Sequence, residues 1–128
     1  MSKRLARLNE QFRREITELL RQEVRDPRVG TVTVTEVDVT PDLAYARVYI
    51  STLGDAAEKE QTLEGLRAAA PYLRGELGRR LRIRRVPELH FEIDRALEQA
   101  LRIERLLREL RSDRADESGA PAPGQEAG

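Results

Sequence analysis

The stretch Thr31-Val32-Thr33-Val34-Thr35-Glu36-Val37-Asp38-Val39 is almost wholly β-branched, and it constrains the fold more than any other segment. Side chains this stiff at χ1 favour an extended strand over a helix. Val32 and Val34 share one parity, whereas Val37 and Val39 share the other. A strictly alternating strand cannot turn all four toward one core, so the pattern predicts a bulge or sharp bend around Thr35-Glu36. Thr40-Pro41-Asp42 is a tight-turn sequence. After it, residues 43–53 alternate Ala44, Ala46, Val48 and Ile50 against Tyr45, Arg47, Tyr49 and Ser51. The two strands are expected to pair as an antiparallel hairpin.

Helical periodicity brackets this hairpin. Leu5, Leu8, Phe12, Ile16, Leu19, Leu20 and Val24 recur at three- and four-residue steps, predicting an amphipathic helix over about 3–25 that Asp26-Pro27 terminates. Asp55 followed by Glu58 has the form of a capping box. Leu63, Leu66, Ala70, Leu73, Leu77 and Leu81 then keep helical spacing across Pro71. A proline there lacks the N–H and crowds the preceding turn. The pattern therefore predicts a break or kink near Ala69-Ala70, with a helix over about 56–69 and a second carrying Pro71 in its first turn. Val86-Pro87 ends the helical stretch. Leu89, Phe91 and Ile93 then alternate with Glu88, His90, Glu92 and Asp94 as a third strand. Asp94 is placed to cap a last helix over about 95–110 bearing Leu97, Leu101, Ile103, Leu106, Leu107 and Leu110. From Arg111 to Gly128 there is no Val, Ile, Leu, Met or aromatic residue. A segment with so little to bury does not offset its ordering entropy, so 111–128 is expected to be a disordered tail. The expected fold class is α+β: helices on one face of a three-stranded mixed sheet.

Composition removes many chemistries. The 128 residues include no Cys and one His, His90, so thiolate metal sites, thiol nucleophiles and bis-imidazole sites are excluded. No apolar run approaches a membrane span, and Met1-Ser2-Lys3-Arg4 leads into a charged amphipathic pattern without the apolar block of a secretion signal, so a cytoplasmic protein is expected. His90, Glu92 and Asp94 share a strand face, but without a second ligand cluster or a phosphate loop they read as the polar side of a half-exposed strand. The chain is read as a non-enzyme with neither metal nor cofactor.

The formal net charge is zero, yet charge is segregated. From Arg74 to Arg85 the chain carries Arg74, Arg79, Arg80, Arg82, Arg84 and Arg85 against Glu76 alone, a net +5 in twelve residues. Such density is the footprint of a phosphate-backbone reader, with Arg25, Arg28 and Arg47 as auxiliaries. The plainer reading is a solvated face neutralised by acids elsewhere, such as Asp55, Glu58, Glu60 and Glu64. Aromatic residues are sparse. Tyr45 and Tyr49 could stack bases, but tyrosines on a strand more often cover a neighbouring helix, and that is the expectation here.

Three segments, Glu23-Val24-Arg25-Asp26-Pro27-Arg28-Val29-Gly30, Asp42-Leu43-Ala44-Tyr45-Ala46-Arg47-Val48-Tyr49-Ile50 and Leu81-Arg82-Ile83-Arg84-Arg85-Val86-Pro87-Glu88-Leu89-His90-Phe91, resemble the bacterial ribosome-binding factor A family in order and spacing over about Leu5 to Leu110. The resemblance implies a type II KH-like domain over 1–110, α-β-β-α-kink-α-β with a C-terminal helix, in which an Ala-x-Gly kink replaces the usual Gly-x-x-Gly loop. The matching positions are Ala69, Ala70 and Pro71, where Pro71 departs from the family's Gly and removes a backbone donor. It also implies a non-catalytic, monomeric assembly factor that binds free 30S subunits. Such a factor assists late maturation and processing of 16S rRNA near its 5′-terminal helix and central pseudoknot, in a pathway shared with maturation GTPases, and a role in cold adaptation follows. The alternative is a protein-interaction module that engages a partner through its amphipathic helices without touching RNA.

Overall fold

A computed structural model of the chain describes residues 2–22 and 32–118, with side chains as far as Arg114. The elements are α1 (Lys3–Gln22), β1 (Val32–Val39), β2 (Tyr45–Thr52), α2 (Ala56–Leu81), β3 (Glu88–Ile93) and α3 (Arg95–Ser118). Residues up to Asp94 form one compact unit, and α3 belongs to a second.

Among the described residues the sheet has three strands in the order β1-β2-β3. β1 and β2 are antiparallel, and β2 and β3 run parallel. The parallel pair requires a crossover, and α2 supplies it. The register of β1 on β2 shifts between Val34 and Glu36, so Thr35 is the extra residue of a bulge. This is the irregularity that the valine parity demands. With it in place Val34, Val37 and Val39 all become buried, and Val32 is half-buried.

The hairpin turn is held by side chains of its own sequence. Thr40 Oγ1 donates to Asp42 Oδ1 at 2.8 Å and accepts from the Tyr45 amide at 3.1 Å. The Ala44 amide donates to Asp42 Oδ1 at 3.0 Å. Leu43 takes a left-handed conformation, φ 60°, to complete the reversal.

The core lies between one face of the sheet and the two helices. Phe12, Ile16 and Leu19 of α1 and Leu66, Leu73 and Leu77 of α2 are fully enclosed against Ala46, Val48, Ile50 and Phe91. Each large side chain buried in this way stabilises the fold by about 1.5–3 kcal/mol. α1 packs on β1 and α2 on β3, and the helices also touch each other. Ser2 Oγ accepts from the Leu5 amide at 3.1 Å at the start of α1. The capping box of α2 is complete, with Glu58 N–H donating to Asp55 Oδ1 and Asp55 N–H to Glu58 Oε1, both at 2.8 Å.

Two expectations need correction. The division at Ala69-Ala70-Pro71 is absent: α2 is one 26-residue helix with Pro71 inside it. Pro71 and Arg67 are both exposed. The missing bond thus lies on the exposed side of the helix, where water can reach the backbone, while Leu66, Leu73 and Leu77 hold the buried side. Second, α3 continues to Ser118, past Leu110 where the sequence pattern ends, so 111–118 are helical. Residues 111–118, made of Arg, Ser, Asp, Ala and Glu, include no Gly or Pro, and propagating an existing helix fixes only one residue per bond gained. Residues 119–128 of the expected tail lie outside the described residues, as do the C-terminal end expected for α1 and the Asp26-Pro27 stop.

Candidate nucleic-acid interface

The Arg-rich segment spans the last turns of α2 and the loop 82–87 that returns to β3. Arg79 and Arg80 lie in the final turn, where positive charge complements the helix dipole. Arg82 ends the helix in the left-handed conformation, φ 54° and ψ 41°, and redirects the chain toward β3. Such a terminus is usually glycine, because a Cβ costs about 1–2 kcal/mol there.

Apolar residues pin the loop. Ile83 and Val86 are half-buried against the core and Pro87 is buried. Gly78 allows the loop to pass close to α2, since a Cβ on it would lie 3.1 Å from Val86 Cγ2. Arg74 completes the clamp, donating from Nε at 3.0 Å and from Nη2 at 2.8 Å to the Val86 carbonyl. The backbone of 82–87 is thus held while Arg82, Arg84 and Arg85 remain exposed.

The six guanidiniums therefore divide by role. Arg74 fastens the loop. Arg79 pairs with Glu76 one turn earlier. Arg80 reaches Glu15 of α1 at 3.4 Å, joining the two helices. Its charge also helps, after the Arg21 hydrogen bond, to hold the Glu18 carboxyl below the ordinary range. Arg82, Arg84 and Arg85 form no ion pair with another described residue. Arg85 is near enough to the hairpin turn to add to the Thr40 and Ala44 hydrogen bonds that hold the Asp42 carboxyl below the usual aspartate range. In the Arg79–Glu76 pair the guanidinium is exposed while the carboxylate is largely covered. The acids that neutralise the patch are Glu76 and Glu15, whereas Glu60, one of those expected to do so, pairs with Arg67.

Of the auxiliary residues, Arg25 and Arg28 lie outside the described residues. Arg47 is on the sheet face turned away from α1 and α2, 3.7 Å from Glu92, and is not brought to the Arg82–Arg85 loop. Ala69 and Ala70 are half-buried within α2, whereas Pro71 is exposed beside Arg74 and Gly75 in a recess completed by Val86. The tyrosine expectation also changes. Tyr45 is 48% exposed on the sheet face turned away from α1 and α2, so it covers neither of those helices. The polar triad on β3 is dispersed: His90 Nε2 is 3.3 Å from Glu88, Glu92 faces Arg47, and Asp94 accepts from Thr35. Among the described residues no three carboxylate or imidazole groups converge on a metal-sized site, and no helix is long and apolar enough to cross a membrane.

Sequence inspection had no means of finding the Arg74 clamp, because its acceptor is a backbone carbonyl twelve residues away. Nor could it find the Arg80–Glu15 tie, whose partners are 65 residues apart.

Comparison with known proteins yields a consistent picture. A family model described as ribosome-binding factor A matches residues 4–107. The ribosome-binding factor A of Caldanaerobacter subterraneus subsp. tengcongensis is 41% identical over 119 residues, covering 92% of this chain and 98% of the relative. The crystal structure of ribosome-binding factor A from Thermus thermophilus superposes with a TM-score of 0.65 at 34% identity, covering 72% of this chain and 97% of the other. A homology model of the T. thermophilus factor fitted into a cryo-EM map of a 30S complex gives a TM-score of 0.60 at 34% identity, over 71% of this chain and 96% of that one.

Proposed function

The chain belongs to the ribosome-binding factor A family, and from that premise we propose that it binds free 30S subunits during late assembly, holding folded 16S rRNA by the Arg82–Arg85 loop without catalysing a reaction. The observation that carries this reading is the loop itself. Three exposed guanidiniums stand on a backbone already fixed by Ile83, Val86, Pro87 and the Arg74 clamp. Little ordering entropy remains to be lost on binding, and each Arg offers a planar fork matched to phosphate oxygens. Arg79 and Arg80 extend the same end of α2 and add to its positive field, each keeping its carboxylate partner, Glu76 or Glu15.

A factor of this kind acts by preferring one rRNA conformation, which shifts the population toward it. The region of the 5′-terminal helix, the efficiency of 16S processing, growth in the cold and the link to maturation GTPases belong to this proposal, as do a cytoplasmic location and a monomeric state. The relative fitted into a 30S complex supports the choice of partner. Gradient sedimentation of lysate tests it. The chain is expected to travel with free 30S subunits and not with translating ribosomes, and an Arg82→Glu/Arg84→Glu/Arg85→Glu variant that folds normally is expected to stay at the top of the gradient. Undiminished comigration of that variant sinks the placement of the contact on this loop.

A further inference from the structure

The face of the sheet turned away from α1 and α2 has a composition opposite to that of the loop. Strand register arranges its side chains in rows. Glu36, Tyr49 and Glu92 form one row, because Tyr49 pairs with Glu36 on one side and Glu92 on the other. Asp38, Arg47 and His90 form the next, and Tyr45 stands beside Glu88. Four carboxylates thus share these rows with two tyrosines, against one Lys or Arg, Arg47, which lies 3.7 Å from Glu92. Thr40, Tyr45, Arg47, His90 and Glu92 line an open recess of about 340 Å³, and the Tyr45 and His90 rings meet at 5.1 Å with a 53° tilt.

We propose that this face docks an extended Lys/Arg-rich protein segment, as a second interaction surface separate from the arginine loop. The charge excludes the loop's own ligand: a phosphate chain would run over Glu36, Asp38, Glu88 and Glu92 and be repelled by each. A cationic segment meets the reverse situation. A guanidinium or ammonium over the Tyr49 ring lies between two carboxylates, so the ring quadrupole and both charges act in the same direction. Side chains of an extended peptide that point to one side repeat at about 7 Å, since the strand rise is about 3.3 Å per residue. Tyr45 and Tyr49, four residues apart on β2, are separated by about 13 Å, so every second cation on that side of the segment, at positions i and i+4, addresses both. The inference is independent of the RNA reading, because it rests on other residues and another ligand chemistry.

Fluorescence anisotropy with the full chain tests it, using a labelled nona-arginine peptide and, in parallel, a labelled single-stranded RNA. Glu36→Gln/Glu92→Gln is expected to weaken peptide binding about fivefold, and Tyr45→Ala about threefold, with Tyr45→Phe retaining the wild-type affinity. Removing two carboxylates from α3, Glu104→Gln/Glu109→Gln, is expected to leave peptide binding unchanged, and no sheet-face variant should weaken RNA binding. Absence of peptide binding overturns the proposal, as does equal weakening by the α3 pair, which would make net charge the whole effect. Loss of RNA affinity in the sheet-face variants would assign the face to RNA instead.

Discussion

Thr35, the residue extruded by the bulge in β1, donates its hydroxyl to Asp94 Oδ2 at the end of β3 across 2.6 Å. The bond spans the sheet from one edge strand to the other and joins residues 59 apart in sequence. A bulge needed to turn four valines inward therefore also supplies a donor to the last residue of the compact unit. Hydrogen bonds to charged acceptors contribute about 1.5–3 kcal/mol. Thr35→Val is expected to lower unfolding free energy by roughly 2 kcal/mol in urea titrations and Thr35→Ser to lower it far less. Equal losses in the two variants would mean that the methyl group, not the hydroxyl, matters.

Arg74 and the loop arginines should separate in salt dependence. Log affinity for single-stranded RNA falls by about 0.7 per neutralised phosphate for each tenfold rise in salt. Substituting Arg82, Arg84 and Arg85 together by Gln is expected to flatten that slope by about 2 with stability preserved. Arg74→Ala is expected to leave the slope nearly intact and to destabilise the fold by about 1 kcal/mol, because it strands the Val86 carbonyl. A slope change for Arg74→Ala matching one loop arginine would move it among the phosphate contacts.

Arg82 trades stability for position. Its left-handed backbone favours glycine, so Arg82→Gly is expected to stabilise the fold by about 1 kcal/mol, or about 5 °C in melting temperature. The same substitution is expected to weaken RNA binding. A variant that is neither more stable nor weaker in binding contradicts both halves.

Pro71 should be a stability reserve of the same kind. It is exposed inside a continuous helix, where proline is about 3 kcal/mol less favourable than alanine. Pro71→Ala is expected to raise stability by about 2 kcal/mol, somewhat less than that full difference because the proline also restricts the unfolded chain. Calorimetry that finds the variant unchanged would show the helix to be adjusted fully to the ring.

Asp42 sets a pH dependence for the hairpin turn. Its folded-state pKa lies below the unfolded value, chiefly through the Thr40 hydroxyl, then the Ala44 amide and finally the Arg85 charge. The stabilisation it brings is complete above the unfolded aspartate pKa and is lost as pH falls through the depressed folded value. Carbon-detected NMR titration is expected to show Asp42 titrating below an ordinary aspartate, and Thr40→Val is expected to move it upward. An Asp42 that titrates normally in the wild type would remove the turn from the acid response.

Much of this molecule is local, and local features are readable. The parity switch between Val34 and Val37 demands an extra residue, because pleat alternation is rigid. Asp55 and Glu58 announce a helix start, because a capping box closes within one turn. Pro71 does not divide the helix as that reading expects: its local cost is real, but the buried Leu66, Leu73 and Leu77 outweigh it on the other side of α2. The end of α3 escapes a hydrophobic count because helix propagation needs no burial.

The sequence by itself determined where charge accumulates along the chain, how the hairpin is bulged and closed, and which faces of α1, α2 and the strands are apolar. These follow from backbone sterics and side-chain periodicity within a few residues. Only the tertiary structure decided which arginines are spent within the fold and which remain available. That choice depends on Glu15 arriving beside Arg80, on the Val86 carbonyl arriving beside Arg74, and on strand register placing Glu36, Glu88 and Glu92 beside Tyr45 and Tyr49. Such meetings occur between groups distant in the chain, and packing of the core alone brings them together.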